Sequence, residues 1–409
     1  MSRTGQRAER ELRRQRGAGQ SRVTNIELFF DLVYVFAVTQ LSHYLLAHQT
    51  VAGALRAGLL LAMVWLLWAY TTWVTNWLDP DQIPVRLLLL ALMLVSLVMS
   101  AGLPEAFTDG GLLVGAAYAV MQIGRSAFTV WALRGAPQQR NFQRILCWCC
   151  VSGGLALAGG LAGTVAREAL WVAAVAVDLA GSTVGFYTPG LGRSTTREWD
   201  IEGGHFAERC QGFILIALGE SIVVIGATLA RLLAGPLAAP HASVVPTVAA
   251  FGVAFAGSAG LWWLYFDRSA EAGAAAIARS ADPGRLGRSA YHLIHPVMVA
   301  GIIVGAAADE VVLSDPRAPA SASAAWLLLG GYALYLAGHA AFKAVVWRTV
   351  SWPRLAAIVV LALLGLLVPH VTVLALSACA AAVILAVAVA DYLLRDGTPG
   401  PESQEGRPE

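Results

Sequence analysis

The chain has 409 residues, with 28 Lys and Arg against 26 Asp and Glu, a formal net charge of +2 and only 13% charged residues. Soluble domains carry about 25% charged residues, and a mean hydropathy of +0.63 excludes a water-soluble globular fold. Near-neutral charge gives no basic surface for nucleic acid. The partner implied by composition is the lipid bilayer.

Residues 1–22 form a polar tail with seven arginines (Arg3, Arg7, Arg10, Arg13, Arg14, Arg16 and Arg22), predicted to be disordered and cytoplasmic. Apolar runs of about 20 residues then predict twelve membrane helices, over 26–47, 51–73, 85–103, 110–133, 145–165, 168–187, 206–231, 245–266, 289–312, 323–346, 353–369 and 371–394. Breakers fall between them at Asp79-Pro80-Asp81, Pro104, Pro137, Pro189-Gly190, Asp282-Pro283-Gly284, Asp315-Pro316 and Trp352-Pro353. The last two runs abut at Pro369-His370 and leave room only for a very tight turn. The first run is long, carries Glu27 and Asp31 and lacks a small-x-small cleavage site, so it is expected to stay in the membrane. The connections 188–205 and 267–288 are too short for a soluble catalytic domain. Residues 395–409 form a second polar tail, again expected to be disordered and cytoplasmic.

Basic residues set the orientation. With the arginine-rich tail inside, so are Arg134, Arg140 and Arg144, then Arg193, Arg197 and Arg209, then Arg268, Arg279, Arg285 and Arg288, then Arg348, Arg354 and Arg395. The opposite loops carry only Arg167, Arg231 and Arg317. A weak internal echo divides the chain. Glu27-Leu-Phe-Phe-Asp31 opens the first run, as His205-Phe-Ala-Glu208-Arg209 opens the seventh, and tryptophan-rich ends follow in the second and eighth. The expected fold is therefore an all-α integral membrane protein of about 12 transmembrane helices in two six-helix repeats of parallel orientation, over 23–190 and 191–394, multi-pass in the cell membrane with both termini cytoplasmic.

Three segments carry a resemblance. Ile26–His43 (IELFFDLVYVFAVTQLSH), Trp73–Arg86 (WVTNWLDPDQIPVR), and Glu208-Arg209 followed by Leu218-Gly219-Glu220-Ser221-Ile222 resemble the bacterial low temperature requirement protein A family. The resemblance runs from about residue 22 to 394. It departs locally at Cys210-Gln211, where an aromatic and a small residue are expected. It implies an integral membrane protein linked by name to growth in the cold, and it implies no settled biochemical activity.

The polar residues within the runs are the candidate functional groups, because a charge at the centre of a membrane helix costs on the order of 2.5–3.5 kcal/mol. Helical spacing puts Thr24, Glu27, Asp31, Tyr34 and Ser42 on one face of the first run, with Gln40 opposite. Glu27 and Asp31 are open to two interpretations, an acidic first turn pairing with loop arginines or a gate or ion-binding pair at the cytoplasmic side. Arg209 and Glu220 share a face of the seventh run but stand about 16 Å apart. Glu220 therefore needs a partner from another helix, Arg125 first, with His339 and Lys343 as alternatives. It is either half of a static pair or a protonatable group in a pathway. Asp178 is a further mid-helix carboxylate.

His292 and His295 lie one turn apart beside Pro296, with Asp309 further along the same run. No motif supplies further ligands, so no metal and no other cofactor is expected. A pH-responsive pair or packing beside a proline kink stays open. The five cysteines read as small apolar packers. Gly159, Gly160, Gly163, Gly219 and Gly226 are expected to allow close helix contact. No nucleophile elbow, phosphate loop or dinucleotide fingerprint suggests an enzyme.

The pattern favours an ion- or proton-coupled transporter or channel with an unspecified small-molecule or ion substrate. Its candidate pathway residues are Glu27, Asp31, Arg125, Asp178, Glu208, Arg209, Glu220, His292, His295 and Asp309. The alternatives are a membrane-embedded enzyme for lipid or isoprenoid substrates, in which Asp79, Asp81, Arg86, Glu27 and Asp31 hold a divalent cation, and a non-transporting scaffold or sensor for cold adaptation. A homo-oligomer is compatible with either class. The orientation is directly testable: reporter fusions at residues 138, 195 and 280 should read as cytoplasmic and those at 108 and 316 as external. An external signal at 195 would contradict two halves of like orientation.

Overall fold

In lipid, a backbone N–H or C=O has no water to bond, so each segment must satisfy its own, and the chain answers with helices. The computed structural model describes residues 12–14, 23–199, 201–234 and 244–394. In order come α1 (Asn25–Ala47), α2 (Val51–Trp77), α3 (Ile83–Ala101), α4 (Gly111–Ala132), α5 (Gln139–Leu161), α6 (Thr164–Thr183), α7 (Gly203–Ala234), α8 (Val244–Phe266), α9 (Ser269–Ala278), α10 (Pro283–Ser314, π-helical over Gly287–Ile294), α11 (Ala322–Trp347), α12 (Trp352–Leu364) and α13 (Val373–Leu394). Isolated β-bridges and short 3-10 turns accompany them, and no strand, among the described residues.

Apart from the short α9, which lies in the connection expected to be polar, the long helices follow the twelve apolar runs. Among the described residues, ten are long and apolar enough to cross a membrane. The other two, α4 and α6, carry Gln122 and Arg125 in one case and Arg167, Glu168 and Asp178 in the other. The tight turn at Pro369-His370 is a 3-10 turn over Gly365–His370 that leads almost directly into α13. The tail 395–409 lies outside the described residues. In the first tail, Leu12–Arg14 is ordered: Arg13 bridges Leu78, the Arg14 N–H donates to the Trp77 carbonyl at 3.1 Å, and the Asp79 N–H donates to the Leu12 carbonyl at 3.0 Å. That departs from the disorder expected of these three residues, because the end of α2 offers them free backbone groups.

Helix ends are capped locally. Thr24 and Glu27 form a reciprocal capping box at α1. Asp282 and Ser321 accept backbone N–H groups at the starts of α10 and α11. Arg167 donates to the carbonyls of Ala106, Thr108, Gly159 and Ala162, which places a guanidinium over otherwise unpaired loop and helix-end oxygens. Outward faces are apolar, as in Leu87, Leu94, Leu97 and Val98 of α3 and Val359, Val360 and Leu363 of α12.

The chain divides into two compact units. The first comprises the described residues of Met1–Tyr44, Val51–Gly212 and Ile277–Arg288, and the second those of Leu45–Thr50, Phe213–Ala276 and Ser289–Glu409. In the first, α4 packs on α3 and α5, α5 on α6, and α2 on α4 and α6. In the second, α10 packs on α11, α11 on α12, α12 on α13, and α8 on α13.

Close helix approach in lipid rests on small residues. A Cβ added at Gly160 would lie 2.8 Å from the Gly111 carbonyl oxygen, and one at Gly301 would lie 2.5 Å from the Tyr335 nitrogen and 2.8 Å from the Gly331 oxygen. Gly159 likewise abuts Trp171. Gly163, Gly219 and Gly226, expected to do the same, face open space among the described residues. Helical spacing alone does not tell a packed face from an outward one. Gly160→Ala and Gly301→Ala should therefore each destabilise the protein by about 1–3 kcal/mol, whereas Gly219→Ala and Gly226→Ala should be neutral or slightly stabilising. Thermal unfolding in detergent checks this; equal effects at all four positions would refute the packing assignment.

Candidate functional site

The first unit holds an ion cluster built from α1, α2 and α7. Capping brings Glu27 to the first turn of α1, and Asp31 follows one turn later on the same face, so both carboxylates point inward and are buried. Arg209, also buried, grips Asp31 with two arms, Nε to Oδ2 at 2.9 Å and Nη2 to Oδ1 at 2.6 Å, and reaches Glu27 Oε1 through Nη1 at 3.0 Å. The Trp68 indole N–H donates to Asp31 Oδ1 at 2.7 Å. Arg14 adds a second cation, 3.7 Å from Glu27. Two carboxylates thus meet two guanidiniums, which makes their burial tolerable.

His205 completes the cluster. The Glu202 N–H donates to Asn76 Oδ1 at 2.8 Å, which sets the amide so that Asn76 Nδ2 faces His205 Nδ1 at 3.3 Å. His205 Nε2 lies 3.2 Å from Glu27 Oε2 and 3.0 Å from Arg14 Nη1, so the ring bridges the acid and the second cation.

A second polar group joins α4 and α6. Asp178 Oδ2 accepts from the Tyr118 hydroxyl at 2.5 Å and from Gln122 Nε2 at 2.5 Å. The Gln122 amide oxygen in turn accepts from Arg125, whose other arm donates to the Leu67 carbonyl at 3.2 Å and whose guanidinium lies over the Tyr70 ring. Gln122 is therefore the relay between a buried cation and a buried carboxylate.

The second unit is different. Asp309 is buried on α10, makes no ion pair among the described residues, and accepts only a long hydrogen bond, 3.4 Å, from the Ser221 hydroxyl. Ser221 lies 2.9 Å from the Ser258 hydroxyl, so the carboxylate and two hydroxyls from α7, α8 and α10 converge. The arginine buried in this unit, Arg354, is already held by Asp391 at 2.6 Å. His295 is structural: Pro296 interrupts backbone bonding, and His295 Nδ1 lies 3.1 Å from the Ala290 carbonyl while Nε2 meets the Tyr265 hydroxyl at 2.7 Å. Both of its nitrogens are thus committed.

The sequence candidates fall into three places. Glu27, Asp31 and Arg209 share the ion cluster, and Arg125 and Asp178 share the relay. Glu220, His292, His295 and Asp309 are buried in the second unit. Arg125, expected to pair with Glu220, instead has Gln122, Thr71, the Leu67 carbonyl and Tyr70 as its partners. Its flanking Gln122 was the available clue. Glu208 is exposed on α7 and belongs to no cluster. The cation cradle of the enzyme alternative does not form: Asp79 bonds Gln82 and the Asp81 N–H, Asp81 pairs with Arg86, and Glu27 and Asp31 are taken by Arg209. Trp68, His205, Arg14, Tyr118 and Ser258 enter the clusters unpredicted. The alternation of Trp68, Thr72 and Thr75 on one face of α2 was the signal for the first.

No solved structure matches the chain. An uncharacterized protein of Rhizobium meliloti (strain 1021) is 35% identical over 383 residues, 93% of this chain and 91% of that protein. The model of the bacterial low temperature requirement A protein family matches residues 22–389, a stretch that includes the three polar clusters apart from Arg14. The chain is a multi-pass membrane protein belonging to the bacterial low temperature requirement A (LtrA) family.

Proposed function

We propose that the chain is an ion- or proton-coupled transporter in which Asp309, with Ser221 and Ser258, binds the coupling ion. The observation that carries this is the contrast between carboxylates. Glu27 and Asp31 are matched by arginines and Asp178 accepts from Tyr118 and Gln122, whereas Asp309 is buried with one long hydroxyl contact among the described residues. A buried carboxylate of this kind is stable only with a proton or cation beside it. Reversible neutralisation is the requirement of a coupling site.

On this reading all twelve long helices cross the bilayer, α4 and α6 included, since the residues that lower their hydropathy turn inward to partners. The halves 23–190 and 191–394 are read as two six-helix repeats with like internal packing. In each, the second helix meets the sixth, the third the fourth, the fourth the fifth and the fifth the sixth. Even crossing number and the basic loops put both termini in the cytoplasm. The enzyme alternative finds no support in the side chains it requires.

Wild-type protein and Asp309→Asn, reconstituted into vesicles with a trapped pH dye and challenged with solute pools under an imposed membrane potential, test the proposal. The wild type should show solute-dependent proton or cation movement, and Asp309→Asn should fold and be recovered normally yet lose it. Undiminished flux in Asp309→Asn, or lipid turnover without flux in the wild type, would overturn the assignment.

A further inference from the structure

The geometry points to a binding site for a phosphate-bearing headgroup, that of an anionic phospholipid, in a cavity of the first unit that the coupling site does not use. The cavity has a volume of about 640 Å³ and is lined by residues from the end of α6, the connection after it, α5 and the start of α10. Arg193 and Arg288 both line it, together with the hydroxyl-bearing Ser182, Thr183, Thr195 and Thr196, and none of the described lining residues is acidic.

The two guanidiniums have donors to spare. Arg288 gives one hydrogen bond, to the Ser182 carbonyl at 3.0 Å, and Arg193 is exposed and makes no ion pair among the described residues. Arginine forks match phosphate oxygens in charge and geometry, and they carry the site, because the hydroxyls of Ser182, Thr183, Thr195 and Thr196 already donate to Leu179, Ala180, Glu198 and Asp282. The nearby acid Glu198 is engaged elsewhere, with Arg144 at 3.8 Å and the Thr195 hydroxyl at 3.4 Å.

The cavity is built rather than left over. Gly185 and Phe186 adopt positive φ, +66° and +49°; glycine takes this conformation freely, but at Phe186 it persists only where surroundings fix it. The fixing contacts are visible. Ser194 returns its N–H to the Gly185 carbonyl at 2.8 Å, Trp199 bonds the Ser194 hydroxyl at 3.1 Å and stacks on Phe186, and Arg144 clamps the Leu191 carbonyl. Around the mouth stand Trp148, whose indole N–H bonds the Tyr187 carbonyl, and the exposed Tyr187 and Val184. Aromatic and apolar groups beside arginines at a helix end suit the boundary where a headgroup meets acyl chains.

Native mass spectrometry of the full chain released from nanodiscs of phosphatidylglycerol and phosphatidylcholine tests the site. Wild type should retain phosphatidylglycerol, and Arg193→Gln/Arg288→Gln should bind it more weakly by about tenfold or more. Arg134→Gln/Arg140→Gln, which removes the same charge from the same face outside the cavity, should bind as wild type. Because Arg288 also anchors a carbonyl, Arg193→Gln alone, which breaks no hydrogen bond, serves if the double variant fails to fold, and should show a smaller loss in the same direction. Inorganic phosphate separates the sources: phosphate that stabilises the lipid-free protein thermally and also displaces bound phosphatidylglycerol assigns the site to a soluble phosphoryl compound, and no displacement assigns it to the lipid. Equal retention by wild type and the cavity variants, or an equal loss in the Arg134/Arg140 control, overturns the proposal.

Discussion

The two-armed grip of Arg209 on Asp31, with Glu27 beside it, is the interaction on which the first unit depends. Ions removed from water are stable only in good geometry with their remaining hydrogen bonds made, and breaking such a set from one side costs about 3–5 kcal/mol. The set draws on α1 for the carboxylates, α7 for the guanidinium and α2 for the Trp68 donor and the Thr75 hydroxyl that accepts from Arg209. The rotation of each of these helices about its own axis is thereby constrained, because a helix turned by one residue would move its charge by roughly 100° toward lipid. Lipid gives no hydrophobic force between helices, so polar pairing and glycine contact carry the specificity that core burial carries in water.

That economy separates architecture from chemistry. In the first unit Glu27 and Asp31 are held by Arg209 and Arg14, with His205 beside Glu27, and Asp178 accepts from Tyr118 and Gln122 through one of its oxygens. In the second unit Arg354 and Asp391 satisfy each other, and His295 is spent on the Ala290 carbonyl and Tyr265. Asp309 differs from these. The Ser221 hydroxyl donates to it at long range with the Ser258 hydroxyl beside Ser221, and on the proposed function its charge is balanced by the coupling ion.

The helices were legible because hydropathy reports the solvent directly: apolar runs and proline breaks placed all twelve long helices, and the inward face of α1 followed from the spacing of Glu27, Asp31 and Tyr34. Partner choice was less legible. Arg125 looked like the cation for Glu220 because charge alone suggests a carboxylate, yet a neighbouring amide, Gln122, satisfied it within its own helix. Asp309 was visible as an acid near a helix end, but its lack of a cation is a property of the surrounding helices and not of its own sequence. Leu12–Arg14 sat in a tail whose composition reads as disordered, and only the free backbone groups at the end of α2 explain its order. Gly219 and Gly226 show the converse, small residues without close neighbours.

The central claim is that Asp31 is held as a permanent ion while Asp309 exchanges a proton or cation. Difference infrared spectroscopy of the reconstituted protein across a pH step reads this directly, since a carboxyl that takes up a proton gains a carbonyl stretch distinct from that of a carboxylate. The account predicts a protonation band in the wild type that disappears in Asp309→Asn and persists in Asp31→Asn. A band that persists in Asp309→Asn and is lost in Asp31→Asn would contradict it.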